Sequence, residues 1–204
     1  MKKLVAVFLA GSALSLASAA SAADLSAVAP AGVYDWSGFY AGLQAGGGWT
    51  TVRSGAVANL NGIMLGAHAG YNFQHGSFVY GLEADLNYNF NRTQTAANIW
   101  AGTPWDASVR ARLGYALDRT LFYVTGGVAF TNLGVDRTPP AAPPRSDVSF
   151  TGWTAGAGVE HAFTGNMTAR IEYRYTDFGQ VTPAGFLPVN MTKNQLLVGV
   201  SYKF

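Results

Sequence analysis

Gln195-Leu-Leu-Val-Gly-Val-Ser-Tyr-Lys-Phe204 closes the chain and sets how the rest is read. In an extended segment successive side chains point to opposite faces. Leu196, Val198, Val200, Tyr202 and Phe204 then share one face. Gln195, Gly199, Ser201 and Lys203 share the other, with Leu197 as one apolar intruder. An apolar outside, a small or polar inside and an aromatic last residue suit a strand in the wall of a barrel bathed in lipid.

The same alternation recurs upstream. Phe39, Ala41, Leu43, Ala45 and Trp49 oppose Tyr40, Gly42, Gln44 and Gly46; Ile63 to Phe73 sets Ile63, Leu65, Ala67, Ala69, Tyr71 and Phe73 against Gly66, His68, Gly70 and Asn72. Between Phe78 and Phe90 the even positions are apolar, and the odd ones include Gly81, Glu83, Asp85, Asn87 and Asn89. Trp105 to Tyr115 places Asp106, Ser108, Arg110, Arg112 and Gly114 on the polar side. Segments around 122–131, 153–160 and 167–176 repeat the pattern, the last opposing Ile171, Tyr173 and Tyr175 to Arg170, Glu172 and Arg174. No helical period fits, because charges two residues apart would spread around a helix. With the closing strand the count is eight, which predicts an all-β, eight-stranded antiparallel up-and-down transmembrane β-barrel.

The gaps between segments alternate in length. Those at 50–62, 91–104, 131–152 and 177–194 read as long loops; those at 74–77, 116–121 and 164–166 carry turn formers such as His75-Gly-Ser77 and Thr164-Gly-Asn166. All eight prolines fall outside the strand interiors, as a wall without edges requires. Short turns of such barrels face the periplasm, so both termini are expected there and the long loops outside. Aromatic residues gather at both ends of the segments, Phe39, Tyr71, Phe78 and Tyr202 at one and Trp49, Tyr88, Trp105 and Trp153 at the other. Two belts at headgroup depth are the expected result.

The amino terminus is a targeting segment. Lys2 and Lys3 precede an apolar run over 4–16, and Ala20-Ser-Ala22 supplies the small residues of a cleavage site, so residues 1–22 read as a secretory signal peptide. Residues 23–37 read as a periplasmic leader and 38–204 as the barrel. Removing Lys2 and Lys3 turns 13 basic against 11 acidic residues into 11 against 11, which leaves no basic surface for nucleic acid. Without cysteine the chain has neither disulfides nor thiolate metal sites.

An eight-stranded barrel is only wide enough for its side chains to fill it. Glu83, Asp85, Arg110, Arg112, Glu160, Arg170, Glu172 and Arg174 all fall on inner faces of neighbouring segments, and buried charges must pair. A plugged lumen with a structural and surface-display role is the leading expectation; a narrow porin-like channel for small solutes is the alternative. His68, His75 and His161 stand apart from any evident nucleophile, so no catalytic, cofactor or metal site is expected. The Pro-rich stretch Asp136–Arg145 and Pro183-Ala-Gly-Phe-Leu-Pro188 read as surface loops, candidate contacts for host or surface ligands.

Trp36-Ser-Gly-Phe-Tyr-Ala-Gly-Leu-Gln-Ala-Gly-Gly-Gly-Trp49 resembles the opening of the small porin-family outer-membrane immunogenic proteins of alphaproteobacteria, the RopB-type surface antigens. Gly81-Leu-Glu-Ala-Asp85, Ser108–Tyr115, Tyr123–Ala129, Gly152–Glu160 and Ile171–Tyr175 extend the resemblance over nearly the whole mature chain. It implies a barrel akin to the OmpA transmembrane domain, lodged in the outer membrane, with roles in envelope integrity and host contact and no catalytic residues. The implied partners are outer-membrane lipid and lipopolysaccharide, periplasmic chaperones and the barrel-assembly machinery; the protein itself is expected to be a monomer. Gly199, Tyr202 and Phe204 match the family's closing assembly signal, whereas Leu197 stands where that pattern has a polar residue.

Overall fold

Alternating segments pair edge to edge until the last meets the first. A computed structural model describes residues 34–54, 56–91, 93–96, 99–137, 145–181 and 188–204. The expected signal peptide, residues 23–33 of the expected leader, and Pro139, Pro140, Pro143, Pro144, Pro183, Phe186 and Leu187 lie outside the described residues. The strands are β1 (Gly38–Ser54), β2 (Ala56–His75), β3 (Phe78–Phe90), β4 (Thr93–Ala96), β5 (Ile99–Gly102), β6 (Trp105–Leu117), β7 (Thr120–Arg137), β8 (Arg145–Ala162), β9 (Met167–Val181) and β10 (Val189–Lys203). Eight long strands form the closed antiparallel ring β1-β2-β3-β6-β7-β8-β9-β10, and β10 returns to β1 through the register Tyr40↔Lys203 to Arg53↔Asn190. The phenylalanine pair seals that last seam: Phe204 N–H donates to Phe39 O at 3.0 Å and the two rings lie 5.6 Å apart.

Between the aromatic levels the outer face is apolar, with residues such as Leu43, Leu82, Leu86, Val124 and Val198 exposed. Phe39 and Trp49 mark the two aromatic levels on β1, about 25 Å apart along the normal for a tilted strand. Both described termini and the tight turns Gly76-Ser77 and Asp118-Arg119 share one end of the barrel. Gly76 and Asp118 have φ of 58° and 49°, the left-handed values that such hairpins need.

The far end differs from the long loops that the sequence suggests. Most of 50–62, 131–152 and 177–194 is strand, and 91–104 holds the β4–β5 hairpin. β7 runs on from Phe130 to Arg137, about 23 Å of strand past the aromatic level. Once outside lipid a strand needs no apolar face, so period two disappears from the sequence while the pairing persists.

Above that level the ring splits. β3 stops pairing with β2 at Phe90↔Ile63, and β9 stops pairing with β8 at Asp177↔Trp153. At the second split Phe178 and Gly179 bulge opposite Met191; Gly179 has φ 64° and its N–H donates to Asp177 Oδ1 at 2.8 Å. The bulge bends β9 away from β8 and turns Phe178 inward. The collar therefore has two parts, β2-β1-β10-β9 and β4-β5-β7-β8. Between them Val52, Leu60, Met191 and Phe178 from the first pack with Ala129, Leu133 and Phe150 from the second.

Close approach dictates several inward glycines. A Cβ on Gly158 would lie 2.6 Å from the Tyr123 ring, and one on Gly127 would meet the Val109 carbonyl. Gly158→Val should therefore lower stability by about 1–3 kcal/mol. Urea unfolding in detergent micelles, followed by tryptophan fluorescence, checks this; an unchanged midpoint would contradict the packing.

Candidate functional site: a charged, closed lumen

Inward positions on β3, β6 and β9 carry long charged chains, while about half of those on β1, β2 and β8 are glycine. The charged chains of β3 and β6 thus meet those of β9 across the lumen. Glu83 sits at the centre: Arg110 Nη2 donates to its Oε1 at 2.5 Å, Arg170 Nη1 to its Oε2 at 2.5 Å, and the Tyr40 hydroxyl to Oε2 at 2.8 Å. Arg110 also reaches Glu172 Oε1 at 2.5 Å, and Tyr123 OH donates to Glu172 Oε2 at 3.0 Å. Arg174 bridges Glu172, at 2.9 Å from Nη2, and Asp85, at 2.9 Å from Nη1. Toward the terminal end Arg112 pairs with Glu160, which also accepts from Thr168, and the Arg112 guanidinium lies 3.9 Å from the Tyr123 ring centroid. All eight charged residues singled out in the sequence are buried and form one connected set.

Two further charges complete it. Asp106 and Lys193 pair, supported by Asn87 Nδ2 at 3.0 Å and Asn89 Nδ2 at 2.8 Å from the carboxylate. Asp106 was legible as an inward residue of the Trp105–Tyr115 alternation. Lys193 fell in a stretch read as loop, and its spacing of two from Gln195 is the signal that marks it as inward. Among the described residues the buried acids are Glu83, Asp85, Asp106, Glu160 and Glu172 and the buried bases Arg110, Arg112, Arg170, Arg174 and Lys193, five against five. Taking each charge out of water costs several kcal/mol, which only mutual pairing and hydrogen bonding offset.

Both mouths are apolar. At the terminal end Tyr34 and Trp36, the last part of the expected leader, turn into the barrel and pack on Val79, Ala116, Leu121, Tyr123 and Ala162. Tyr34 OH donates to Gly165 O at 3.1 Å, and Trp36 N–H to Gln74 Oε1 at 2.6 Å. Lys203 on β10 holds the Asp35 carbonyl, and the Ser37 N–H donates to the Asp35 carboxylate at 2.8 Å, holding that carboxyl below its usual pKa. At the far end the collar cluster covers the charges. The space beneath it, lined by Asp106, Ser108, Arg174, Lys193 and Gln195 among others, has no room for a water molecule.

Other candidates stay apart. His68 is buried with its Nε2 2.8 Å from Ser201 Oγ, but Nδ1 has no partner, so the carboxylate that orients a catalytic histidine is missing. His161 lies on the outer face against Thr120. Leu197 occupies the lumen opposite Gly46, where a Cβ would meet the Leu196 carbonyl and the Leu197 Cα. Gly199 faces inward beside Arg170, whereas Tyr202 and Phe204 are exposed on the outer face at the terminal end, ring centroids 5.1 Å apart.

Residues 7–204 match the family model described as the outer membrane protein beta-barrel domain. The chain belongs to that family. It is 36% identical over 182 residues to the 25 kDa outer-membrane immunogenic protein of Brucella abortus biovar 1 (strain 9-941), covering 84% of this chain and 80% of that one. It is 35% identical over 182 residues to the 22 kDa outer membrane protein of Rhizobium leguminosarum bv. viciae, covering 87% and 81%. Among solved structures, Neisserial surface protein A aligns with a TM-score of 0.58 at 20% identity, over 82% of this chain and 98% of that one. Ail of Yersinia pestis aligns at 0.51 and 15% identity, over 82% and 99%. The sequence relatives and the barrel together identify an outer-membrane protein of the immunogenic family, and the structural likenesses show the shared fold.

Within this family member the lumen makes a direct stability test. Glu83→Ala leaves Arg110 and Arg170 without their shared carboxylate and should cost about 3–5 kcal/mol. The lipid-facing Val200→Ala should cost far less, because lipid replaces the lost contact. Equilibrium unfolding from detergent, with both variants side by side, gives the comparison; equal losses would contradict a charge network that holds the barrel together.

Proposed function

We propose that this protein is a non-catalytic barrel that stiffens the outer membrane and displays its collar at the cell surface, with both termini in the periplasm. The sealed lumen carries this reading: a connected set of buried ion pairs lies between two apolar layers, which leaves no continuous polar path. The collar standing past one aromatic level, opposite the tight turns, supports the orientation. The immunogenic relatives support surface display.

Its partners are then lipid and lipopolysaccharide around the belts, with chaperones and the barrel-assembly machinery acting before insertion. Gly199, Tyr202 and Phe204 form the segment offered to that machinery; the exposure of the two aromatic rings on the last strand supports this role. The inserted protein acts as a monomer. A narrow channel for small solutes is the competing reading, and it requires the Arg110–Glu83 and Arg174–Asp85 pairs to part under an applied field.

Refolded protein in planar bilayers should show no large, steady conductance; a stable open level of nanosiemens order would overturn the sealed-lumen reading. Deleting Phe204 should reduce surface display more than it lowers the unfolding midpoint of whatever protein is inserted. Display at the wild-type level would count against the assembly role.

A further inference from the structure

We infer that the free edge of β2 above the membrane, Ala56–Asn61, is a docking edge for an extended, uncharged segment of another polypeptide, which would add to the sheet as a strand. The inference rests on the proposed orientation, which puts the collar outside the cell.

A sheet edge carries unpaired N–H and C=O groups, and proteins ordinarily guard such edges by shortness, bulges, charges or proline. Among the described residues the two splits in the collar leave four edges, and three have a guard. β4 is only Thr93–Ala96, four residues long. β9 carries the Phe178-Gly179 bulge. The upper part of β8 has Arg145 and Asp147 in its sequence. Among the described residues β2 alone has none: Ala56-Val-Ala-Asn-Leu-Asn61 contains no charge and no proline, and β1 holds its other side in register from Ser54↔Ala56 to Trp49↔Asn61. The edge is therefore long, neutral and rigidly backed.

Its side chains define what fits. Val57, Asn59 and Asn61 point outward and are exposed, and Asn59 Oδ1 accepts from Thr51 Oγ1 at 3.3 Å. Leu60 points inward and is buried in the collar cluster with Val52 and Met191. An added strand continues both faces of the sheet, so its inward residues extend an apolar core and its outward ones lie beside asparagine. The matching segment alternates apolar with neutral polar residues. Charge on the incoming strand would find no partner along Ala56–Asn61.

A second copy of the chain does not fit this edge. Two barrels upright in one membrane are related by an axis along the normal, which makes their β2 strands run in the same sense. With strands tilted about 40°, the two would cross at about 80°, too steep to share a hydrogen-bond ladder. The occupant is a segment free of that constraint, supplied from outside the membrane.

The test uses the refolded full barrel in lipid nanodiscs and a displayed library of short, linear random peptides. Enriched peptides should alternate apolar and neutral polar residues, and their binding should slow amide exchange in 57–61 rather than in β8 or β9. Asn61→Lys and, separately, Val57→Lys place a guarding charge on exposed positions and should weaken binding about tenfold without changing heat-modifiable migration. No enrichment, binding indifferent to both lysines, protection in another strand, or dimers cross-linked through Val57→Cys would each overturn the proposal. A chain without native cysteine lets the same variant report orientation on intact cells through a membrane-impermeant maleimide. Unlabelled cells with peptide binding intact in nanodiscs overturn the orientation alone; labelled cells without binding overturn the docking edge.

Discussion

A strand in hydrocarbon cannot leave a backbone N–H or C=O without a partner, and this constraint organises the whole molecule. It forces the sheet to close, which β10 does by returning to β1 over the full length of both strands. It also explains why the collar behaves differently. Past the aromatic level water satisfies the backbone, and there the ring opens into two parts whose edges no strand covers among the described residues. The position of each split is thus set by where lipid ends.

Closure with only eight strands creates the second constraint, a lumen just wide enough for side chains to fill and too wide to leave empty. The chain fills it with long side chains that meet from β3 and β6 on one side and β9 on the other, and makes room with inward glycines on the strands between, β1, β2 and β8. Because those long chains are charged, the filling must be neutral and connected. Apolar layers at both mouths then keep water from competing for the ion pairs, which strengthens each pair. Packing, charge pairing and exclusion of water are here a single arrangement.

Much of this was legible in the sequence, for a physical reason. Wherever a strand has lipid on one side and a filled lumen on the other, the two environments impose period two, so Glu83, Arg110, Arg170 and Glu172 declare their direction by position alone. Where lipid ends, the signal ends. Residues 131–137 and 145–152 read as loop although they continue β7 and β8. Lys193 was overlooked for the same reason, since Thr192 and Asn194 on either side are as polar as the lysine itself. Tyr34 and Trp36 carry no period at all; only the space between Val79, Leu121 and Ala162 shows that they belong inside.

The five-to-five balance of buried charges constrains how this barrel can vary over evolutionary time. A lipid-facing leucine can drift to valine or phenylalanine on its own, because lipid adapts to whatever shape it meets. A lumen residue has no such freedom. Loss of one carboxylate strands one or two guanidinium groups where no counter-ion can follow, so lasting change must come as a compensated pair or not at all. Sequence divergence in such a protein should gather on the outer wall and the collar, while the interior changes rarely and two positions at a time.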